Sequence, residues 1–308
     1  MGMSEAGKAR PGIAPLSQGG VRLPPWIRVR VAGSGLGDEV HHLLDKNALH
    51  TVCQGAHCPN KHECFNRGTA AFMILGEVCS RDCLFCAVRT GAPQAVDPEE
   101  PQRVAEAAER LRLRHVVVTS VTRDDLADGG AGLFAATIRA IRDRLPEAAI
   151  EVLVPDFQGR ERDLDIVLAA QPDVFNHNLE TVRRLQRLIR PAASYERSLT
   201  VLRYAAGTAP KPAIKSGLMV GLGETDAEII ESMQDLRGAG CEILTIGQYL
   251  APSSRHTPVE RFVHPDVFED YARQGAAMGF RHVASGPMVR SSYHAESHFK
   301  RERRGTGG

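Results

Sequence analysis

Short apolar runs rich in β-branched residues recur along this chain and alternate with stretches of helical character. Because these runs do not alternate apolar with polar residues, they predict strands that are buried on both faces of a sheet. The predicted strands are Phe72–Leu75, His115–Ser120, Ile150–Pro155, Val174–Asn178, Ala213–Leu222 and Ile243–Leu250.

Helical patterns fill the intervals between these runs. Asp97 followed by Pro98 is typical of a helix start, and Thr225 with Glu228 forms a capping-box pattern. Strand–helix units in series predict a parallel sheet with helices on its outside. A closed eight-stranded barrel needs about 250 residues, and the chain after Phe72 is shorter than that. We therefore predict the α/β class with a partial (β/α)6 TIM-type barrel, and a doubly wound sheet is the alternative.

The predicted strands divide the chain into four segments. Residues 1–23, rich in Gly, Pro and Ser, predict a flexible tail, with a mitochondrial transit peptide as the alternative. Residues 24–70 precede the first strand and form a Cys-bearing N-terminal extension. Residues 71–285 contain the barrel, and residues 286–308 form a C-terminal tail.

The charge balance narrows the classes of function. The formal net charge is only +1, so an extended nucleic-acid or membrane-surface footprint is not expected. No apolar run approaches the roughly 18 residues of a membrane span, and the first residues lack the apolar core of a secretory signal. We expect a cytoplasmic protein that binds neither nucleic acid nor membrane.

Six of the seven cysteines are clustered between Cys53 and Cys86. Such clustering in a cytosolic protein indicates a metal site or catalysis rather than a disulfide framework. The downstream triad, Cys79, Cys83 and Cys86, has the spacing C-x3-C-x2-C and follows the first predicted strand directly. Three thiolates can each bind one corner of a four-iron cluster, which leaves the fourth iron open to a small molecule. Structural zinc, which prefers four ligands, is the alternative.

A second set of cysteines precedes that strand. The upstream triad, Cys53, Cys58 and Cys64, has the spacing C-x4-C-x5-C and again lacks a fourth cysteine nearby. As ligands, His57 and His62 would complete a mixed zinc site, but our default is that they bind no metal. Two incomplete triads so close together favour two clusters.

These motifs together resemble the radical S-adenosylmethionine (SAM) superfamily and, within it, the lipoyl synthase family. The superfamily signature is the x3 spacing with Phe85 before the last cysteine. The match to the family rests on Cys58-Pro59-Asn60, Glu63-Cys64-Phe65-Asn66, Thr119-Ser120-Val121-Thr122-Arg123-Asp124-Asp125, Phe175-Asn176-His177-Asn178-Leu179-Glu180-Thr181 and Gly286-Pro287-Met288-Val289-Arg290-Ser291-Ser292-Tyr293.

The resemblance implies a radical SAM sulfurtransferase. Lipoyl synthases insert two sulfur atoms, at C6 and C8 of an octanoyl group carried on a lysine of a lipoyl carrier domain. They use two 4Fe-4S clusters, with SAM as co-substrate. One electron from the first cluster cleaves SAM to a 5′-deoxyadenosyl radical that removes hydrogen, and the auxiliary cluster is the sulfur donor.

The resemblance also assigns ligands. The downstream triad would bind the SAM cluster, and the upstream triad would bind the auxiliary cluster, with a serine of the Arg-Ser-Ser-Tyr motif as fourth ligand. We choose Ser292 as this ligand, and Ser291 stays open as the alternative. The implied catalytic residues are Cys79, Cys83, Cys86 and Ser292, and the implied metal ligands are Cys53, Cys58, Cys64, Ser292, Cys79, Cys83 and Cys86.

Several polar residues at strand ends are expected to contact SAM. Glu180 would bind the ribose hydroxyls, and Thr119 would lie against the methionine part. Lys215, inside a predicted strand, either binds the SAM carboxylate or forms a structural ion pair. The full expected set is Phe85, Thr119, Asn178, Glu180 and Lys215.

The implied partners are octanoylated lipoyl carrier proteins, namely the H protein and E2 lipoyl domains. An electron donor such as flavodoxin or ferredoxin and an iron–sulfur carrier for cluster repair are implied as well. Competing functions are a sister radical SAM reaction such as biotin synthase or methylthiolation, a zinc-stabilised binding module and an electron-carrying ferredoxin. A colourless purified protein would favour the zinc module, and a brown one would exclude it.

Overall fold

The computed structural model describes residues 17–18, 21–27, 40, 42–44, 46–55, 58, 60, 63–64 and 71–298. The strands are β1 (Ser17–Gln18), β2 (Val21–Arg22), β3 (His50–Thr51), β4 (Ala71–Ile74), β5 (Val78–Cys79), β6 (Arg89–Thr90), β7 (His115–Ser120), β8 (Ala149–Leu153), β9 (Val174–Asn176), β10 (Ala213–Val220), β11 (Ile243–Gln248) and β12 (His282–Gly286). The helices are α1 (Val52–Gly55), α2 (Glu100–Arg110), α3 (Ala131–Arg144), α4 (Glu161–Ala169), α5 (Gln186–Ile189), α6 (Tyr195–Ala206), α7 (Asp226–Gly238), α8 (Pro265–Ala277) and α9 (Ala295–His298).

The central sheet has the strand order β12-β11-β10-β9-β8-β7-β4-β3. Its strands from β4 to β12 pair in parallel, and β3 joins the β4 edge antiparallel. Each of β4, β7, β8, β9, β10 and β11 is followed by a helix before the next strand of this sheet, so the sheet contains the predicted six strand–helix units. The α/β prediction and the partial, open arrangement are confirmed, because β3 and β12 are edges of one sheet and do not pair.

The six strand predictions are confirmed in position, and their ends differ from the structure by a few residues. The strand β12 was not predicted, because its sequence His-Val-Ala-Ser-Gly has small and polar residues instead of an apolar run. Between β9 and α6, a 3-10 turn at Arg183–Leu185 precedes the short helix α5. The N-cap of α2 is Glu99 and not Asp97.

Apolar side chains from strands and helices form the core. In α2 the buried residues include Val104 and Ala108, a spacing that places them on one helix face toward the sheet. The strand β7 is buried over nearly its whole length, as expected for a strand covered on both faces. The predicted capping box starts α7, because the Thr225 side chain accepts from the Glu228 backbone and Glu228 reaches back.

The terminal segments are described only in part. Two short antiparallel strands, β1 and β2, lie inside residues 1–23, where a flexible tail was predicted, and residues 1–16 lie outside the described residues. In the C-terminal segment, residues 286–298 are described and end in α9. The four-segment division remains a prediction. Among the helices of the described residues, none has the length and apolar character to cross a membrane.

Candidate functional site: a cavity lined by two cysteine triads

One cavity of about 580 Å³ opens at the carboxyl ends of the parallel strands. Thr119 of β7, Leu153 of β8, Met219 of β10 and Gln248 of β11 all line it. Since these strands are spread across the sheet, the sheet must curve around the cavity. Loops at this end of a TIM-type barrel carry the active site, and here the cavity is lined by both cysteine triads.

The downstream triad lies on the loop that leaves β4. The Cys79 Sγ accepts hydrogen bonds from the backbone N–H groups of Arg81 and Thr122, each at 3.4 Å. The backbone N–H of Cys86 donates to the Cys83 carbonyl at 3.0 Å, which makes a tight turn between these two cysteines. All three are free thiols that line the cavity. The backbone of the loop therefore fixes the three sulfur atoms around one side of the cavity.

Arg81 anchors this loop to the barrel. Its guanidinium donates to both carboxylate oxygens of Asp124 at 2.6 and 2.9 Å, and to Asp156 at 2.7 Å. The Asp156 carboxylate is fully buried, and the Arg81 pairing holds its pKa well below the usual range despite burial, which acts in the opposite direction. A bidentate guanidinium restrains orientation as well as distance. Arg81 thus ties the loop between Cys79 and Cys83 to the ends of β7 and β8.

The upstream triad lies at the β3 edge of the sheet. Cys53 belongs to α1, and its carbonyl accepts from the backbone N–H of Cys58 at 3.1 Å. The backbone N–H of Cys64 donates to the Asn60 carbonyl at 3.0 Å. Cys53 and Cys64 are buried, and Cys58 is half-buried. His57 and His62 lie outside the described residues.

Burial makes both triads poor sites for free thiolates. Burial, together with the neighbouring Cys53 and Cys58, raises the pKa of Cys64 to about 12. Burial also raises the pKa of Cys86 to about 12, with Cys83 acting in the same direction and a backbone hydrogen bond opposing it. Iron binds the thiolate form, so a cluster would add its positive charge to that of Arg190 and Arg81, which already oppose the burial that raises the pKa of Cys83. The donor set therefore fits a sulfur-ligated cluster at each triad.

A single zinc ion gains no support from this geometry. Within the described part of the chain, no three His, Cys, Asp or Glu side chains group closely enough to hold one metal ion. A four-iron cluster spreads its ligands over separate iron atoms, so its cysteines stand farther apart than the ligands of one ion. Three thiols around a cavity wall match the larger group.

The C-terminal segment covers the cavity from the side of the upstream triad. The Asn60 amide donates to the Met288 carbonyl at 2.7 Å, and the Tyr293 hydroxyl donates to Glu63 at 3.0 Å. The segment also passes directly over β11 at Gly247, where a Cβ atom would lie 3.1 Å from the Val289 carbonyl carbon and still closer to its oxygen. Only a glycine permits this approach. As a result, residues 289–293 line the same cavity as the cysteines.

The two serines of this segment have different surroundings. The Ser291 Oγ accepts from the Asn176 amide at 2.9 Å and donates to the Asn178 Oδ1 at 3.0 Å. Ser292 lines the cavity, and its hydroxyl makes no hydrogen bond to any of the described residues. An alkoxide ligand cannot also donate its proton, so the Asn178 bond of Ser291 favours Ser292 as the ligand.

Most of the residues expected to contact SAM are at the cavity. Phe85, Thr119, Asn178 and Glu180 all line it together with the downstream triad. Glu180 has a φ of 70°, in the left-handed region, and its backbone bridges β10 through a 2.9 Å bond to the Gly217 carbonyl. Burial raises the pKa of its carboxyl, and the Asn178 amide donates to it at 3.1 Å. The unusual backbone aims this carboxyl into the cavity.

Lys215 is the exception. Its ammonium is fully buried and donates to both carboxylate oxygens of Glu151, at 2.8 and 3.0 Å. It does not line the cavity. Although burial opposes it, Lys215 and the neighbouring His115 together hold the pKa of Glu151 down to about 2. The expected contact between Lys215 and SAM is therefore not supported, and the structural ion pair is what the fold contains.

Three residues with roles at the site were missed from sequence. Arg81 lies between Cys79 and Cys83, and its charge at that position was a sequence signal for a role at the site. Asn176 lies in the segment 175–181 that carries part of the family resemblance, but the sequence assigned it no role. Arg190 lines the cavity, and its guanidinium donates to the Asn178 and Leu179 carbonyls at 3.3 and 3.1 Å. No local pattern marked Arg190, because it comes from a loop that only tertiary folding brings to the cavity.

Comparison with known proteins identifies the family. The family model for the Radical SAM superfamily matches residues 73–236. A lipoyl synthase from Caldanaerobacter subterraneus subsp. tengcongensis is 55% identical over 276 residues, covering 90% of this chain and 96% of the relative. One from Methylococcus capsulatus is 55% identical over 293 residues, covering 94% of this chain and 88% of the relative. The chain belongs to the lipoyl synthase family. This confirms the resemblance, the radical SAM enzyme class and the cofactors, two 4Fe-4S clusters and SAM.

Solved structures support the fold of this lipoyl synthase family member. Methylornithine synthase (PylB) has a TM-score of 0.53 at 14% identity, covering 87% of this chain and 92% of that chain. HydG, a maturase of the [FeFe]-hydrogenase, also has a TM-score of 0.53 at 14% identity, covering 69% of this chain and 55% of that chain. At such low identity the likeness concerns the barrel alone.

Proposed function

We propose that this chain performs the lipoyl synthase reaction at the single cavity that both cysteine triads line. The downstream triad would hold the 4Fe-4S cluster that binds SAM, and the upstream triad with Ser292 would hold the auxiliary cluster that supplies sulfur. The observation that carries the proposal is that all six cysteines and Ser292 line one cavity. A substrate carbon that loses hydrogen beside the first triad can then meet sulfur beside the second without leaving the site.

The cavity suits an aliphatic substrate. Val117, Leu153, Met219 and Val289 are among the apolar residues that line it. Burying each methylene of an octanoyl chain contributes about 0.8 kcal/mol. Both targets, C6 and C8, lie near the end of that chain, so the carrier domain can stay outside while the tail enters. Octanoylated lipoyl carrier proteins are accordingly the substrate class, and the H protein and E2 lipoyl domains are proposed as the carriers.

Polar residues near the downstream triad would orient SAM. Glu180 would accept from the ribose hydroxyls, while Thr119, Asn178 and Phe85 would shape the remaining contacts. Lys215 is paired with Glu151, and Arg81, which also lines the cavity, is paired with Asp124 and Asp156. Among the arginines that line the cavity, Arg190 is therefore proposed to face the SAM carboxylate. Its guanidinium donates to backbone carbonyls through one nitrogen, Nη1. A guanidinium has five N–H donors, so the others stay available for a carboxylate.

Ser292 as fourth ligand has a physical rationale. An oxygen ligand is harder than a thiolate and matches an iron–sulfur cluster less well. The iron bound to Ser292 would therefore leave more readily, which would free sulfide for transfer. We expect Ser292→Cys to bind the cluster and to insert sulfur poorly. Full sulfur insertion by Ser292→Cys would contradict this role.

The electron donor would approach on the outer side of the downstream triad. Leu84, between Cys83 and Cys86, is 36% exposed, so the loop that holds this triad reaches the surface. A flavodoxin or ferredoxin is proposed as donor, and an iron–sulfur carrier as the source of a new auxiliary cluster. A cytoplasmic location, as the sequence predicts, would provide these partners.

Product analysis tests the proposal directly. Anaerobically reconstituted protein is incubated with SAM, a strong reductant and an octanoyl-lysine peptide, and the products are followed by mass spectrometry. Two thiols gained per peptide, with about two 5′-deoxyadenosines formed, are expected. Cys83→Ala should abolish SAM cleavage, whereas Cys58→Ala should retain 5′-deoxyadenosine formation and lose sulfur insertion. Sulfur insertion by Cys58→Ala at the wild-type level would contradict the assignment of the upstream triad.

A further inference from the structure

A continuous line of hydrogen bonds connects strands β8 and β10 of the barrel to the C-terminal segment. It begins at the buried Lys215–Glu151 pair. The Asn176 amide donates to the Glu151 Oε1 at 3.1 Å and to the Ser291 Oγ at 2.9 Å. Ser291 in turn donates to the Asn178 Oδ1 at 3.0 Å. The Asn178 amide then donates to Glu180 at 3.1 Å.

The direction of every bond in this line is determined at its buried end. The Glu151 carboxylate can only accept, so it orients Asn176 with its NH₂ group toward Glu151 and Ser291. Ser291 must therefore accept from Asn176, and its own proton is free to go to Asn178. That leaves the Asn178 NH₂ group to donate to Glu180. Reversing any one bond would place two acceptors or two donors against each other.

Ser291 is the point where this line enters the C-terminal segment. Its hydroxyl accepts from Asn176, the last residue of β9, and donates to Asn178, two residues further along the chain. The next residue in the chain, Ser292, makes no such bond among the described residues and lines the cavity. Holding one residue on the barrel restricts where the following side chain can reach, because a single peptide unit separates them.

We propose that Ser291 is a positioning residue that holds the C-terminal segment on the barrel and thereby places Ser292 at the auxiliary cluster. Asn176 and Asn178 are its partners on the barrel. Through Asn178 the same line reaches Glu180, so the residue proposed to contact SAM and the residue proposed to bind the auxiliary cluster share one anchor. The inference rests on the proposed function for the role of Ser292, whereas the anchoring itself concerns the protein alone.

Hydrogen–deuterium exchange of the apoprotein tests the anchoring without any cofactor. Two net hydrogen bonds are lost in Ser291→Ala, so residues 286–298 should exchange roughly tenfold faster. Ser291→Thr keeps the hydroxyl and should restore protection. Ser292→Ala and Ser297→Ala are matched controls that should leave exchange unchanged, since Ser297 is exposed and bonds only to the nearby His294 carbonyl. Unchanged exchange in Ser291→Ala would overturn the inference.

The reconstituted protein tests the consequence for the cluster. Ser291→Ala should cleave SAM within about twofold of wild type, while thiols formed per 5′-deoxyadenosine fall roughly tenfold. Mössbauer spectra should show that the unique iron of the auxiliary cluster has lost its oxygen ligand, and Ser291→Thr should recover both properties. A wild-type spectrum and product ratio in Ser291→Ala would refute the positioning role.

A second variant guards against misfolding. Asn176→Ala removes the same anchor from the barrel side and should reproduce both effects. If neither Asn176→Ala nor Ser291→Ala alters the segment, the line of bonds has no anchoring role. If the wild-type protein itself fails to insert sulfur, the proposed function fails, and the apoprotein exchange still decides whether Ser291 anchors the segment.

Discussion

Removal of the Lys215 charge should destabilise the fold by an amount that the structure allows us to work out. Lys215 and Glu151 are 0% and 1% exposed in their side chains, and their closest contact is 2.8 Å. Burial raises the pKa of Glu151, but Lys215 and the neighbouring His115, whose Nε2 is 3.2 Å from the carboxylate, together lower it from 4.5 to about 2. A lowering of this size corresponds to about 3 kcal/mol of stability. Breaking a buried pair by removing one partner typically costs about 3–5 kcal/mol.

We therefore expect Lys215→Met to lower the free energy of unfolding by about 3 kcal/mol at pH 7. The assay is urea unfolding of the apoprotein, followed by circular dichroism. Because the folded pKa of Glu151 is depressed, its contribution is fully present above the unfolded value near 4.5 and is lost as the pH falls toward 2. Without the Lys215 charge, burial raises the pKa of Glu151 in the variant, so the difference between wild type and variant should be largest near pH 8 and shrink as the pH falls.

An exposed ion pair provides the matched control. Arg89 and Glu77 approach to 2.6 Å, closer than the buried pair, but their side chains are 67% and 52% exposed. Glu77→Gln should change stability by only about 0–1 kcal/mol, because water and salt screen the pair. The double variant Glu151→Gln with Lys215→Met should recover part of the loss, since no buried charge remains. A cost below about 1 kcal/mol for Lys215→Met, or an equal cost for Glu77→Gln, would refute this reasoning.

Three further changes test the site and its support. Gly247→Ala should push the Val289 carbonyl and the C-terminal segment off β11. Sulfur insertion should then fall about 100-fold while SAM cleavage is retained. Gly286→Ala is the control and should have little effect, because its Cβ would meet only the Val289 side chain, at 3.4 Å. Arg81→Met should leave Asp124 without its cation and Asp156 with Arg197 alone, and iron retained at the downstream triad after gel filtration should fall several-fold. Thr225→Ala should cost about 1 kcal/mol in urea unfolding, because the side chain caps a helix.

The sequence by itself determined the fold class and the cysteine chemistry. Short apolar runs rich in β-branched residues predict strands covered on both faces, which is why β7 was predicted from His115 to Ser120 as found. The spacing of the two triads is likewise a local property, and the structure places both at one cavity. β12 was missed because its residues are small and half-buried, so no apolar run marks it.

Only the tertiary structure decided what each polar residue near the site contacts. Lys215 could have bound a carboxylate on SAM or on the protein, and the deciding fact is that Glu151, two strands away, projects to the same buried point. Likewise, Ser291 and Ser292 are equivalent in sequence and differ because Asn176 and Asn178 are within reach of the first alone. Local patterns specify which residues are buried, but the partner of a buried charge or hydroxyl depends on which distant strands the sheet brings beside it.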